Sequence, residues 1–253
     1  MGLLDLGSPL FTLLHACLSG WMPPLIEIGL WALLCAWGSM WLYRRLSRQQ
    51  ALLEIKGEIR VATHELAAYD GDFAGMLSKV KQALGLTLRQ LRLTLLPALL
   101  ASFPALLVMT WLSNTFEYAL PQAGDIQIVS VTPLEESLTW SPALASQEKG
   151  KWQVVWPDFA HPITVRDRNG LVLASIPSAM PVPVLHKRLA WNWLIGNPAG
   201  YLPEHATVDA LEISLPAMEI VKLGPPWMRM WMTPFLLVLV SWSIWLKMKW
   251  RLL

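Results

Sequence analysis

The sequence predicts an α-helical membrane protein with three transmembrane helices and a cytoplasmic helical hairpin, carrying an extracytoplasmic all-β, sandwich-like domain. Three observations carry that prediction: apolar runs of membrane-crossing length, an uneven division of lysine and arginine among the segments between them, and a switch to short alternating runs in one of those segments. Composition agrees. Of the 253 residues 54% are hydrophobic, only 15% are charged and 15 are tryptophan, whereas a soluble domain carries about 25% charged residues.

Residues 1–22 form an outer interfacial segment. Its apolar stretch, residues 3–19, is interrupted by Asp5, Gly7-Ser8-Pro9 and His15. It lacks the basic start of a signal peptide and is followed almost at once by a full span, so it is read as an interfacial helix or a short re-entrant segment. Transmembrane helix 1 occupies 23–43, framed by Pro23-Pro24 and Arg44-Arg45. Transmembrane helix 2 occupies 93–112 and contains Pro97 and Pro104, and transmembrane helix 3 occupies 227–246, with the shortest apolar run. A basic tail, 247–253, carries Lys247, Lys249 and Arg251. Each span approaches the roughly 20 residues that cross a hydrocarbon core. Trp21, Trp41, Trp111, Trp227 and Trp250 lie at or near span ends, where an amphipathic indole prefers the interface.

Charge sets the direction. Residues 44–92 hold nine bases (Arg44, Arg45, Arg48, Lys56, Arg60, Lys79, Lys81, Arg89 and Arg92) against five acids, whereas residues 117–226 hold seven bases against eleven acids. Basic loops stay in the cytoplasm, so the N-terminus and the long acidic segment are expected outside, and the hairpin and C-terminal tail inside. A bacterial inner membrane is the location this arrangement implies.

Between spans 1 and 2, apolar residues recur at helical spacing: Leu46, Leu53, Ile59 and Leu66, then Phe73, Leu77, Val80, Leu84, Leu88 and Leu91. Tyr69-Asp70-Gly71-Asp72 interrupts them with turn chemistry. Residues 44–92 are therefore expected to form a basic αα-hairpin of coiled-coil type, each arm running on into its adjoining membrane helix. Such an arm is either a solvated linker or a protrusion that meets an acidic partner, a ribosome or anionic lipid headgroups.

Residues 113–226 predict the β-rich domain. The expected strands are Ile126–Val131, Trp152–Trp156, Ile163–Val165, Leu171–Leu173, Leu211–Leu215 and Glu219–Leu223. Asn169-Gly170, between two of them, is a strong hairpin signal. The stretch Leu189–Ile195 contains Trp191 and Trp193 and is read either as core or as an apolar surface resting on lipid or a partner.

No catalytic constellation emerges. His15, His64, His161, His186 and His205 are scattered, the neighbours Glu135 and Glu136 point to opposite faces of any strand, and Asp125, Asp158, Asp167 and Asp209 lack calcium-loop spacing. Cys17 and Cys35 lie in apolar stretches and suggest neither a disulfide framework nor a metal. The expectation is no covalent chemistry, no cofactor, no metal and no specific nucleic-acid binding. Inside the spans, Glu27 and Arg229 lie at similar depth near the outer face and form a candidate intramembrane pair, unless both snorkel to the headgroups. Ser39, Ser102, Thr110, Ser113, Asn114, Thr233, Ser241 and Ser243 add modest polarity.

An outward-starting span that ends in Arg44-Arg45, a charged hairpin containing Ser47-Arg48-Gln49-Gln50-Ala51, and Leu91-Arg92-Leu93-Thr94-Leu95-Leu96-Pro97 leading through Pro104 resemble the YidC/Oxa insertase superfamily. The likeness is nearest to the branch with the archaeal YidC-like proteins and the insertase subunit of the ER membrane complex, and covers roughly residues 20–116 and span 3. The resemblance implies a membrane-thinning bundle with a polar groove open to the cytoplasm and a hairpin that captures hydrophobic clients. Arg44, Arg45, Arg48, Lys79, Lys81, Trp191 and Trp193 are then candidate contacts to clients or partners in the bilayer. Two features depart from that family. No span has a mid-membrane basic residue, and about 110 residues of β-rich sequence stand where relatives have a short loop. The expected function is insertase- or chaperone-like handling of membrane-protein clients; the alternative is a non-catalytic docking subunit of a larger envelope complex.

Overall fold

Proline tolerance at helix starts explains the first elements of the computed structural model, which describes residues 2–133, 138–141, 145–148, 151–158, 162–177 and 180–252. Pro9 lies in the first turn of helix α1, Ser8–Leu18, and Pro24 opens α2, Pro24–Leu46, positions where the missing N–H has no helical partner to lose. Glu27 in the first turn of α2 and Arg44 and Arg45 in its last turn complement the helix dipole. Helices α3, Gln49–Ala67, and α4, Phe73–Phe116, follow. The long α4 stays continuous through Pro97 and Pro104. By length and composition, α2 and α4 are each apolar enough to cross a membrane. Two further helices close the chain: α5, Pro226–Arg229, and α6, Met232–Lys249.

The chain divides into two compact units. One comprises Met1–Ile28 with Leu107–Pro234, the other Gly29–Leu106 with Phe235–Leu253.

The second unit is helical. Its hairpin turns at residues 68–72 as the sequence predicts, held by Tyr69, whose hydroxyl donates to Asp72 at 3.0 Å. Lys79 of α4 bridges back to Glu65 of α3 at 3.0 Å and lies 5.7 Å from the centre of the Tyr69 ring, which sets the arms antiparallel. Three expectations for the hairpin need correction. The first arm does not run on into α2: α2 stops at Leu46, and Arg48 leaves helical geometry with φ −82° and ψ 79°. Ser47 accepts from the Gln49 side chain at 2.9 Å, and such local side-chain bonding competes with helical pairing. The buried stripe of α3 is Leu52, Ile55 and Ala62, while Leu53 is exposed. Finally, the apolar stripe of the second arm faces outward. Phe73, Leu77, Val80, Leu84, Leu88 and Leu91 are all exposed, because the partly buried Lys79, Ala83 and Leu86 occupy a different side of the helix.

The first unit holds two antiparallel sheets. In order they are built from β1, Ile126–Thr132; β2, Thr139–Ser141; β3, Ala145–Glu148; β4, Lys151–Val155; β5, Ile163–Arg166; β6, Val172–Ile176; β7, Val184–His186; and β8, Ala210–Ile213. Five strands run in the order β3-β4-β1-β8-β7, and three in the order β2-β5-β6. One apolar core takes side chains from both sheets, among them Val129 and Val131 of β1, Trp152 and Val154 of β4, Ile163 and Val165 of β5, and Leu211 and Ile213 of β8. Each such side chain, fully buried, contributes about 1.5–3 kcal/mol. The alternating burial of β1 and β4 repeats the period-2 pattern of their sequence.

The hairpin signal at Asn169-Gly170 joins β5 to β6, with Gly170 at φ +80°. Asp167 closes the turn: its Oδ1 accepts from the backbone of Asn169 at 2.8 Å and of Leu171 at 2.9 Å. One expected strand is absent. Glu219–Leu223 folds back on α5 instead, with the N–H groups of Ile220 and Val221 donating to the Arg229 carbonyl. Gly224-Pro225-Pro226 follow immediately and leave no backbone donors for a ladder at the two prolines.

The N-terminal residues, expected to be an interfacial segment over 1–22, are tied to this unit. A 3-10 turn at Leu3–Asp5 lies against the loop after the 3-10 turn Ala190–Trp193. Leu4 N–H donates to the Leu194 carbonyl at 2.9 Å, and Asp5 Oδ2 accepts from Gly2 N–H at 2.7 Å and Gly196 N–H at 2.8 Å.

Candidate functional site

Within the helical unit, side chains from α2, α4 and α6 enclose a cleft of about 240 Å³. Ser39 and Tyr43 of α2, Ser102 of α4 and Ser243 of α6 line it among Met40, Ala98, Ala101, Ala105 and Leu239. Three of the eight polar residues of the long apolar runs thus converge. Small residues on α4 make the convergence possible, since Ala98, Ala101 and Ala105 recur at helical spacing and admit close approach. Ser102 donates to the Leu99 carbonyl at 2.8 Å, whereas the buried Ser39 hydroxyl has no partner among the described residues. An unpaired hydroxyl in an apolar wall favours a guest that brings a polar group.

The exposed stripe of α4 continues in the same unit. Leu77, Val80, Leu84, Leu88, Leu91 and Leu95 are exposed one helical turn after another, and the same helix then supplies Ala98, Ala101 and Ser102 to the cleft. A second cleft, of about 260 Å³, brings Arg48 and Arg92 together against Leu46, Leu93, Leu96, Pro97 and Leu100. Arg44, which is exposed, lies 5.7 Å from the centre of the Trp250 ring, a cation–π contact. Arg45 and Lys81 are exposed. Lys79 serves the hairpin through Glu65.

In the other unit, Glu27 and Arg229 each take a different partner from the one expected. Glu27 is buried, and its Oε1 lies 2.8 Å from His15 Nδ1. The His15 ring packs edge-on to Trp111 and Phe116, and Trp111 Nε1 donates to Thr12 at 3.1 Å. Arg229 bonds Glu219 at 3.1 Å and the Gly224 carbonyl at 2.8 Å. Sequence spacing placed Glu27 and Arg229 at one depth, but α1 folds back to deliver a nearer base to Glu27. Nothing in the residue types singled out His15, because a lone histidine in an apolar stretch carries no partner information.

Trp191 and Trp193 are exposed, with Leu189 beside them. Trp191 also lines a cavity of about 240 Å³ with Glu117, Tyr118 and His186. Burial, with the Glu117 charge adding to it, pushes the Tyr118 phenol above its ordinary pKa. His161, Glu135 and Glu136 lie outside the described residues. Among the described residues no three His, Cys, Asp or Glu side chains gather as a metal site would require.

No family model matches the chain, and no curated protein or solved structure matches it either.

Proposed function

We propose that the chain is an insertase- or chaperone-like membrane protein that receives hydrophobic segments of client proteins, in the manner of the YidC/Oxa superfamily. One observation carries the reading: an exposed leucine stripe on the hairpin arm leads along a single helix to a mainly apolar cleft in which Ser39, Ser102 and Ser243 of three helices meet. A client helix gains from the leucines by apolar burial, and a polar flank finds hydroxyl partners that lower its cost in hydrocarbon. In this reading α2, α4 and α6 span a bacterial inner membrane. The positive charge of residues 44–92 keeps the hairpin in the cytoplasm, and the acidic β domain lies outside. Arg48 and Arg92 in their shared cleft favour contact with anionic headgroups at the inner face.

Reconstitution is the direct test. Purified protein in liposomes is expected to raise insertion of short-tailed clients above that of empty vesicles, and equal insertion overturns the proposal. A second reading, a docking subunit of a larger envelope complex, is favoured by the exposed Leu189, Trp191 and Trp193 on the β unit. Isolation in mild detergent as a lone monomer, with client insertion intact, would exclude it.

A further inference from the structure

A cavity of about 780 Å³ in the β-containing unit is walled by Asp5, Ser8, Thr12, Trp111, Asn114 and Tyr201, with Met180 and prolines among the rest of its lining. Its size falls in the range of small-molecule sites, about 300–1,000 Å³. Asp5 is 7% exposed. Its Oδ2 is fully occupied by two backbone amides, yet its Oδ1 is buried with no partner among the described residues, as is the Ser8 hydroxyl one turn later. A buried carboxylate oxygen left unpaired is costly, and native structures seldom keep one without a use.

The chemistry of the wall selects the guest. Among the described residues one carboxylate and no lysine, arginine or histidine line the cavity, so an anion is repelled. A hard divalent ion asks for about six to eight oxygen ligands, and it would leave most of this volume and its aromatic wall unused. A primary ammonium fits better. It would bring three N–H donors, for which Asp5 Oδ1 and Ser8 Oγ are the unpaired acceptors in the wall, and Trp111 and Tyr201 offer the aromatic surface that favours a cation. Thr12 is held in place by the donor bond from Trp111, so the wall on that side is preorganised.

We propose that this cavity is a binding site for a primary ammonium group, carried either by an aminophospholipid headgroup or by a free small amine. The site does not depend on the insertase reading, and its test reads no insertion.

The full chain is to be placed in nanodiscs of phosphatidylethanolamine or of phosphatidylcholine with the same acyl chains. Lipid retained after detergent extraction is then counted by native mass spectrometry. In parallel, the unfolding temperature in detergent is followed with free ethanolamine and with choline. Retention of phosphatidylethanolamine about tenfold above phosphatidylcholine, as one charge-assisted hydrogen-bond set supplies, identifies the lipid as the source. A thermal shift with ethanolamine alone identifies the free amine. Asp5→Asn removes the charge, and Asn114→Leu fills the cavity without touching the amides that Asp5 holds; both are expected to abolish the preference. Equal treatment of the methylated and unmethylated head in both assays overturns the site, as does a preference that survives both substitutions.

Discussion

Asp5 Oδ2 accepts a hydrogen bond from the backbone N–H of Gly196 at 2.8 Å, across 191 residues of chain. The same oxygen accepts from Gly2 N–H. One carboxylate thereby closes the N-terminal turn and ties it to the loop after Ala190–Trp193. Asp5→Ala leaves both amides without that acceptor, and each orphaned amide costs about 1–3 kcal/mol. A lowered unfolding temperature and faster hydrogen exchange at Gly196 are expected, with Asp5→Asn recovering part of both. Unchanged exchange at Gly196 would show that the bond holds nothing.

The docking is close enough to exclude a side chain at Gly2. A Cβ there would come within 2.5 Å of the Gly196 nitrogen and 2.6 Å of the Leu194 oxygen, both backbone atoms. Gly2→Ala is therefore expected to release the N-terminal turn, read as new protease cleavage before α1. Gly20→Ala is the control, since a Cβ at Gly20 meets nothing within 4 Å. Equal protease patterns for the two variants would contradict the geometry.

Glu27 and His15 are expected to be energetically coupled, and Glu27 and Arg229 are not. A double-mutant cycle of Glu27→Gln with His15→Gln should show an interaction energy of about 1 kcal/mol or more, as for bonded buried partners. The cycle with Arg229→Gln should be additive to within about 0.5 kcal/mol. Arg229→Gln alone should cost less than about 1 kcal/mol, because its Glu219 partner is half exposed. Coupling of Glu27 to Arg229 instead of His15 would restore the pairing that span depth alone suggests.

These cases mark what the sequence made legible. Local signals read correctly: the two long apolar helices, the turn at Tyr69–Asp72, the Asn169-Gly170 hairpin and the alternating strands β1 and β4 all depend on residues within one turn or strand. The misses share a different cause. Strands β2, β3 and β7 are three or four residues long, too short for a period to register, and exist because longer neighbours pair with them. Strand signal in Glu219–Leu223 was overridden by the Arg229 contacts. In the cleft, Ser39, Ser102 and Ser243 were noted singly as polar residues, but their meeting depends on how three helices pack. The cavity at Asp5 was invisible for the same reason, since its walls come from three stretches far apart in sequence, residues 5–12, 111–115 and 180–201.

Membrane orientation makes a prediction independent of activity. With Cys17→Ser as background, a cysteine at Lys81 in the hairpin and one at Asn169 in the β5–β6 turn occupy exposed positions. A membrane-impermeant maleimide applied to intact spheroplasts should label Asn169→Cys and spare Lys81→Cys until the membrane is opened. The reverse pattern would invert the topology drawn from the charge division.

The exposed stripe of α4 gives the sharpest separation of fold from function. Leu84 is 57% exposed and Leu88 52%, so neither stabilises the helical unit by burial, and both lie on the hairpin arm ahead of the cleft residues. Leu84→Glu with Leu88→Glu is expected to change stability by no more than about 0.5 kcal/mol, as for surface positions. If the stripe receives client helices, the same pair removes the apolar surface that holds them and places like charges in its path. Crosslinking between a photoreactive residue at Leu91 and a client segment should then fall about tenfold, the equivalent of losing about 1.4 kcal/mol of apolar contact. Leu52→Glu is the counter-case. Leu52 is fully buried on α3, and burying a charge there should disrupt the hairpin itself, visible as lost helical signal. Undiminished crosslinking in the Leu84/Leu88 variant would mean that clients do not use this face, and that the stripe is covered by lipid or by a second copy of the chain.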